Sequence, residues 1–319
     1  MIGMAPRTFT NPVYPGYFAD PFVLRVGDVY YAYGTGSVIG GRVFEILRST
    51  DLVRWTSLGG ALEPLHDSGA QDYWAPEVAA VGGRYFMYYS VGVGDTNHTL
   101  RVAMAFSPEG PFVDAGTVLT PDERFAIDPH PFQDVDGQWY LFYARDLLDG
   151  ERVGTSLAVD RLLEMTRAEG APRTVARATA DWQLFAARRA MYGQVYDWYT
   201  LEGPFVVRHD DRYYCLYSGG AWEHGDYGVS YVVADHPLGP YLHPEEEGPV
   251  VLRSVEGQVL GPGHSCVVTG PDGRHRMVYH AWDPARTARR MCVDALVWGP
   301  DGPRCDGPSF SPRPVPERR

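Results

Sequence analysis

Nothing in the 319-residue chain approaches the ~18 consecutive apolar residues that a membrane-spanning helix needs. Its opening, MIGMAPRTFT, also lacks the apolar core of a secretion signal. The expectation is a cytoplasmic protein, or a secreted one if a leader has been removed. Cysteine is scarce: Cys215, Cys266, Cys292 and Cys305 have none of the paired spacings of a zinc site, and three of them lie in apolar, strand-like surroundings that mark small core residues. A basic excess is missing too. The net charge of -12 argues against nucleic acid or an anionic membrane as main partner, since either requires a basic patch, and leaves a neutral or cationic ligand. Helical stretches are few; one short helix is expected near residues 176–190, inside an insertion at about 146–200.

What the chain does have is aromatic strands. Its 21 tyrosines, 36 glycines and 26 prolines are spread along the sequence, as suits many short strands joined by turns. A turn followed by an aromatic strand recurs five times: GDVYYAYG from Gly27, GGRYFMYYS from Gly82, DGQWYLFYA from Asp136, DDRYYCLYS from Asp210 and DGRHRMVYH from Asp272. Aligned on Tyr30, Tyr85, Trp139, Tyr213 and His275, the copies are 55, 54, 74 and 62 residues apart. One blade per step gives the expected fold class, all-β: a five-bladed β-propeller in a single domain, with the innermost strand of each blade lining an axial channel. The segments SPEGPF at 107–112 and HPLGPY at 236–241 read as outer-edge turns of four-stranded blades.

An ionisable residue precedes each aligned aromatic: Asp20 by 10 positions, Glu77 by 8, and Asp128, Glu202 and His264 by 11 each. Equivalent positions on successive blades point to a common centre, so these five are expected to form a ring. Proline beside Asp20 and Asp128 is expected to hold them extended at a strand start. For any one Asp-Pro, turn capping is the plainer explanation; for a set in register, a shared cavity is the better one. Carboxylates converging on one cavity cannot all ionise cheaply, so one should stay low and another be raised, the asymmetry that glycoside hydrolysis requires. A metal site built from the same acids is the rival reading. Tyr73, Trp74, Trp198, Tyr199 and Trp222 offer flat apolar faces for a sugar ring, although such residues are as often core.

In the order FADPF, YWAPEV, IDPHPF, TLEGPF, GPGHSCVV and YHAWD, the sequence resembles glycoside hydrolase family 43 along nearly its whole length. The resemblance implies an inverting hydrolase with Asp20 as general base, Glu202 as general acid and Asp128 as the carboxylate that orients the acid and tunes its pKa. Trp74, Glu77, Trp222, His264 and Arg289 become the expected substrate-binding residues, with Arg290 leaving the register of the arginine open. His264 matches a histidine that contacts a bound calcium or its water shell, so calcium is the one expected cofactor, held through water. The chain ends soon after the fifth repeat, unlike relatives that carry a further β-sandwich. ADPF and LEGP stand where the related retaining fructosidases carry Asn-Asp-Pro-Asn and Glu-Cys. The expected substrate is an oligosaccharide from plant polysaccharide, cut from its end, with α-L-arabinofuranose released. A β-xylosidase or exo-β-1,3-galactanase of the same family is the first alternative. A non-catalytic sugar-binding propeller is the alternative of another class.

Overall fold

The computed structural model describes residues 7–36, 38–66 and 71–317; residues 1–6, part of the stretch read for a leader, lie outside that set. The regular structure of the described residues is 23 strands and one three-residue 3-10 turn, Asp181–Gln183. No helix among them is long and apolar enough to cross a membrane.

Three of the five repeats form separate antiparallel sheets of four strands each. The first runs Ala19–Val26, Val29–Thr35, Val43–Ser49, Thr56–Leu62. The second runs Asp72–Val81, Arg84–Val93, Thr96–Ala105, Val113–Val118, and the last Leu260–Thr269, His275–Trp282, Arg289–Gly299, Gly302–Cys305. The third and fourth repeats share a nine-stranded sheet, because Gly154–Glu164 pairs in parallel with Gln194–His209 at Gly154–Tyr199 and Thr155–Thr200. Each repeat's aromatic strand is the second of its group. Tyr30, Tyr33, Tyr88, Tyr89, Tyr143, Tyr217 and Tyr279 on these strands are almost fully buried. A buried side chain of that size contributes about 1.5–3 kcal/mol, provided its hydroxyl is paired. Tyr33 donates to the Pro108 carbonyl and Tyr88 to that of Met165. The tight turns follow the sequence: Gly82 and Gly83 both have positive φ (58° and 75°), the geometry of a two-residue hairpin turn.

The first strand of every repeat carries the same defect. Pairing with the second strand slips between Ala19 and Phe22, Trp74 and Glu77, Ile127 and His130, Glu202 and Phe205, and Gly263 and Cys266. The residue after the first of each pair has positive φ: Asp20 50°, Ala75 49°, Asp128 57°, Gly203 57° and His264 46°. Such bulges re-aim side chains and locally end the pairing. They also correct two expectations. Asp20 and Asp128 are left-handed, not extended: their short polar side chains tolerate that region, and the bulge overrides the proline that follows. In the second repeat the kink falls on Ala75, so Glu77 is two residues out of register with Asp20.

The expected helix at 176–190 is absent. Beyond the 3-10 turn, Leu184–Met191 is a strand that pairs back onto Gln194–His209 around a turn at Tyr192 and Gly193. The AARRAM segment is built of good helix formers, but pairing with the aromatic strand beside Tyr196 and Trp198 outweighs that preference.

Candidate active site

The kinks put their side chains into one cavity of about 280 Å³. Asp20, Asp128, Glu202, His264, Arg289, Trp74 and Trp222 all line it. Five kinked positions thus supply two carboxylates and an imidazole, with Glu202 entering one residue ahead of its kink. Ala75 brings no functional group, but its N–H donates to the Thr35 hydroxyl at 2.8 Å and ties the second sheet to the first.

Glu77 is not in the wall. It occupies the position that the other repeats fill with Phe22, His130, Phe205 and Cys266, beneath the cavity, and its Oε2 lies 2.6 Å from Nδ1 of His130. The other nitrogen of His130 accepts the N–H of Val206 at 3.0 Å. Nδ1 therefore carries the proton given to Glu77, and the pair binds the second, third and fourth repeats together. Tyr73 stacks on Tyr89 in the core, centroids 6.0 Å apart, and Tyr199 lies outside the cavity wall under the Arg152 guanidinium. Trp74 stacks on buried His98 at 3.8 Å, and Trp222 stacks on Trp282 at 5.6 Å with the Arg289 guanidinium 4.4 Å above its ring. These contacts fix both indoles before any ligand arrives.

The carboxylates are electrostatically unequal. Burial alone would raise Asp20, but facing cations hold it well below the usual carboxylate range: His264 when protonated, Arg289, and His280. Nδ1 of His264 lies 3.4 Å from Oδ1 of Asp20, and Nη1 of Arg289 lies 3.3 Å from the same oxygen. Burial pushes both imidazoles below their ordinary range, so Arg289 is the charge that persists at neutral pH. Arg289 also bonds the Tyr17 hydroxyl at 2.7 Å, while Arg290 pairs with Asp283, which resolves the register of the two arginines. Glu202 goes the other way: burial pushes it up to about 7, opposed by a hydrogen bond from Tyr227 and helped by Asp20. Asp128 is raised well above the carboxylate range by burial and by Glu202 and Asp20, against the Gly203 N–H it accepts at 2.9 Å. One ionised and two protonatable carboxyls in one cavity can give and take a proton at the same pH.

The chain matches the model of glycosyl hydrolases family 43 over residues 9–303. It belongs to that family and is a glycoside hydrolase. The β-D-galactofuranosidase xynD of Aspergillus niger is 30% identical to it over 92% of this chain and 83% of that protein. An extracellular exo-α-(1→5)-L-arabinofuranosidase of Streptomyces avermitilis is 26% identical over 92% of this chain and 62% of that protein. Among solved structures, a thermostable family-43 glycoside hydrolase superposes with a TM-score of 0.85 at 30% identity, covering 98% of this chain and 100% of that one.

Within this family 43 chain, several cavity residues had no signal in the repeat pattern. The hairpin of residues 184–199 closes one side, bringing Phe185, Arg189 and Trp198 into the wall. Arg189 packs over Phe185 and Trp198 and bonds Oδ2 of Asp95, in the second sheet's Gly94–Asp95 turn, at 2.6 Å. Tyr192 at the hairpin tip donates to Asp146 at 2.7 Å, and burial pushes that carboxyl up to about 6. Trp198 was among the aromatics read as faces for a sugar ring; nothing in sequence distinguishes the others from ordinary turn and strand residues, and the Arg189–Asp95 contact joins distant repeats. His280 lies in the YHAWD segment but shows no role there; in the structure its Nδ1 accepts the Asp20 N–H at 3.1 Å.

Calcium requires a cage of oxygen ligands. Among the described residues no three or more His, Cys, Asp or Glu side chains are grouped to hold a metal ion. His264 instead turns Nδ1 toward Asp20 and, at 4.0 Å, toward Asp128. The residues present do not build a direct calcium site.

Proposed function

We propose that this family 43 enzyme is an exo-acting, inverting glycosidase that releases α-L-arabinofuranose from plant-polysaccharide oligosaccharides, on a single-domain five-bladed propeller whose third and fourth blades are joined by the parallel contact. The observation that carries the reading is the charge asymmetry of Asp20 and Glu202 in one small cavity. Protonated Glu202 donates to the glycosidic oxygen as its bond to the anomeric carbon breaks, and the electron pair leaves with that oxygen. A water attacks the opposite face of the sugar, and ionised Asp20 takes its proton. Asp128, bonded to the chain beside Glu202, orients the acid and keeps its titration high. Trp74 and Trp222 offer ring faces, and Arg289 and His264 offer donors to sugar hydroxyls.

Size and closure support exo action. A cavity of about 280 Å³ is at the small end of ligand pockets (~300–1,000 Å³), and the 184–199 hairpin shuts one side. Calcium enters only as an ion held through its water shell beside His264; exhaustive chelation that leaves activity and melting temperature intact removes it.

A β-D-galactofuranosidase is the second reading, favoured by the 30% identity to the Aspergillus niger enzyme of that name. The two sugars share ring configuration from C1 to C4, and galactofuranose adds one hydroxymethyl group beyond the ring. A panel of nitrophenyl glycosides tests both, with α-L-arabinofuranoside, β-D-galactofuranoside and β-D-xylopyranoside in parallel. Fastest turnover of the arabinofuranoside supports the first reading. Binding of sugars without turnover of any of them, in wild type as in Glu202→Gln, leaves a lectin.

A further inference from the structure

Behind the cavity wall, against Glu202, lies a tyrosine that the hydrolysis scheme does not yet use. Tyr227, almost fully buried, lies between the acid and the fifth repeat, and its hydroxyl donates to Oε1 of Glu202 at 2.7 Å. Oε2 of Glu202 has no hydrogen-bond partner among the described residues, and Glu202 lines the cavity. We propose that Tyr227 is a positioning residue that confines the proton of Glu202 to Oε2, the oxygen free to meet a leaving group. This rests on Glu202 being the general acid.

The surroundings hold that hydrogen bond in place. The Tyr227 hydroxyl carries a single hydrogen, which it donates to Oε1, and the N–H of His264 donates to Oγ of the neighbouring Ser218 at 2.7 Å. The ring cannot swing away: it lies parallel to His280, centroids 6.0 Å apart and planes 5° apart, and a Cβ on Gly263 would come within 2.1 Å of it. Gly263 is therefore the notch into which Tyr227 fits. With Oε1 occupied as an acceptor, a proton on the carboxyl belongs on Oε2.

The same bond assists the reaction after the proton leaves. Once Oε2–H has passed its proton to the glycosidic oxygen, Glu202 is a carboxylate, and a hydrogen bond to an ionised acceptor is about twice as strong as one to a neutral group. Other charged or titratable groups face Glu202 from four directions: Asp20 and Arg289, Asp128, Asp95 in the second sheet's turn, and His264 beside Gly203. Tyr227 is the one among them that touches Glu202 through a side-chain hydrogen bond.

Tyr227→Phe, which keeps the ring and its packing, tests this beside Glu202→Gln. Losing a hydrogen bond to the charged form raises an acid's pKa. The alkaline limb of kcat/KM is expected to move up by about one pH unit, the size of one bond to a carboxylate. The variant should also lose more rate on glycosides with poor leaving groups than on activated aryl glycosides. A limb that stays in place or moves down, or an equal loss on both substrate sets, overturns the role of Tyr227; a purely structural lesion would give that result. If Glu202→Gln itself shows no dependence on leaving group, the acid assignment falls and this inference with it. If Glu202→Gln behaves as an acid knockout and Tyr227→Phe leaves the limb in place, only the tyrosine is misassigned.

Discussion

Gly203 donates its backbone N–H to Oδ2 of Asp128, so the carboxyl of the third repeat is bonded to the residue directly after Glu202. The two raised carboxyls titrate as a pair rather than as separate groups. Asp128→Asn preserves an oxygen for Gly203 but removes one titration. The alkaline side of the pH–rate profile, shaped in wild type by the pair, should become that of a single group, with kcat lowered by about 10²-fold. Profiles measured across pH 5 to 9 check this.

Leaving-group chemistry separates the other two carboxyls. Glu202→Gln should cripple hydrolysis of alkyl glycosides and natural oligosaccharides while sparing activated aryl glycosides, which need little protonation to depart. Asp20→Asn should cost both substrate sets about 10²–10⁴-fold, because water attack is needed whatever leaves. NMR of the first-formed sugar should show the anomer opposite to that of the substrate. Equal losses for the two variants on both sets would reverse or remove the assignment.

Stability should rise when the acid is removed, and only at high pH. The carboxyl of Glu202 moves from 4.5 to about 7 on folding. A folded-state value above the unfolded one means that its contribution is favourable below about 4.5 and becomes a penalty as pH rises toward 7. At pH 8 the penalty is about 3 kcal/mol at most, shared with Asp128. Thermal melts of Glu202→Gln should therefore exceed wild type by several degrees at pH 8 and match it at pH 4.5.

Arg189 and Asp95 latch the hairpin over the cavity. Asp95 is largely exposed, so the pair contributes under about 1 kcal/mol to stability, and removing it should leave the fold intact. Its effect should be on product length. Asp95→Ala or Arg189→Ala is expected to yield oligomers as well as monosaccharide from arabinan, and the exchange Asp95→Arg with Arg189→Asp should restore monosaccharide alone. Chromatography of early products reads this out; an unchanged profile would show that closure does not depend on the latch.

The repeat of aromatic strands was legible in sequence because it is local: a turn, an alternating run and burial of one tyrosine after another. Asp20, Asp128, Glu202 and His264 were legible because each sits at the kink of its repeat or next to it. Glu77 was misplaced by two positions: it stands 8 residues before Tyr85, whereas Ala75, at 10, matches Asp20, and an acid two residues past the kink meets His130 instead of entering the cavity. Arg189, Asp95 and Tyr227 were invisible for a different reason. Their partners come from other repeats, and no spacing along one repeat encodes a contact between two. The 176–190 segment misled through propensity, which pairing overrode.

The parallel contact at Gly154–Tyr199 and Thr155–Thr200 ties the third and fourth repeats strand to strand by backbone hydrogen bonds, where the first and second are joined only by a single bridge, the Phe112 N–H to the Ala61 carbonyl and the Glu63 N–H to that of Phe112. Gly154 is indispensable there: a Cβ would come within 1.9 Å of the Tyr199 carbonyl oxygen. Side-chain contacts between sheets can shear and re-form, but a backbone seam opens only as a unit. Asp128 and Glu202 lie on opposite sides of that seam. Thermal breathing of the sheets should thus spare the joint between the third and fourth repeats, leaving the acid and its partner among the least mobile residues of the pocket.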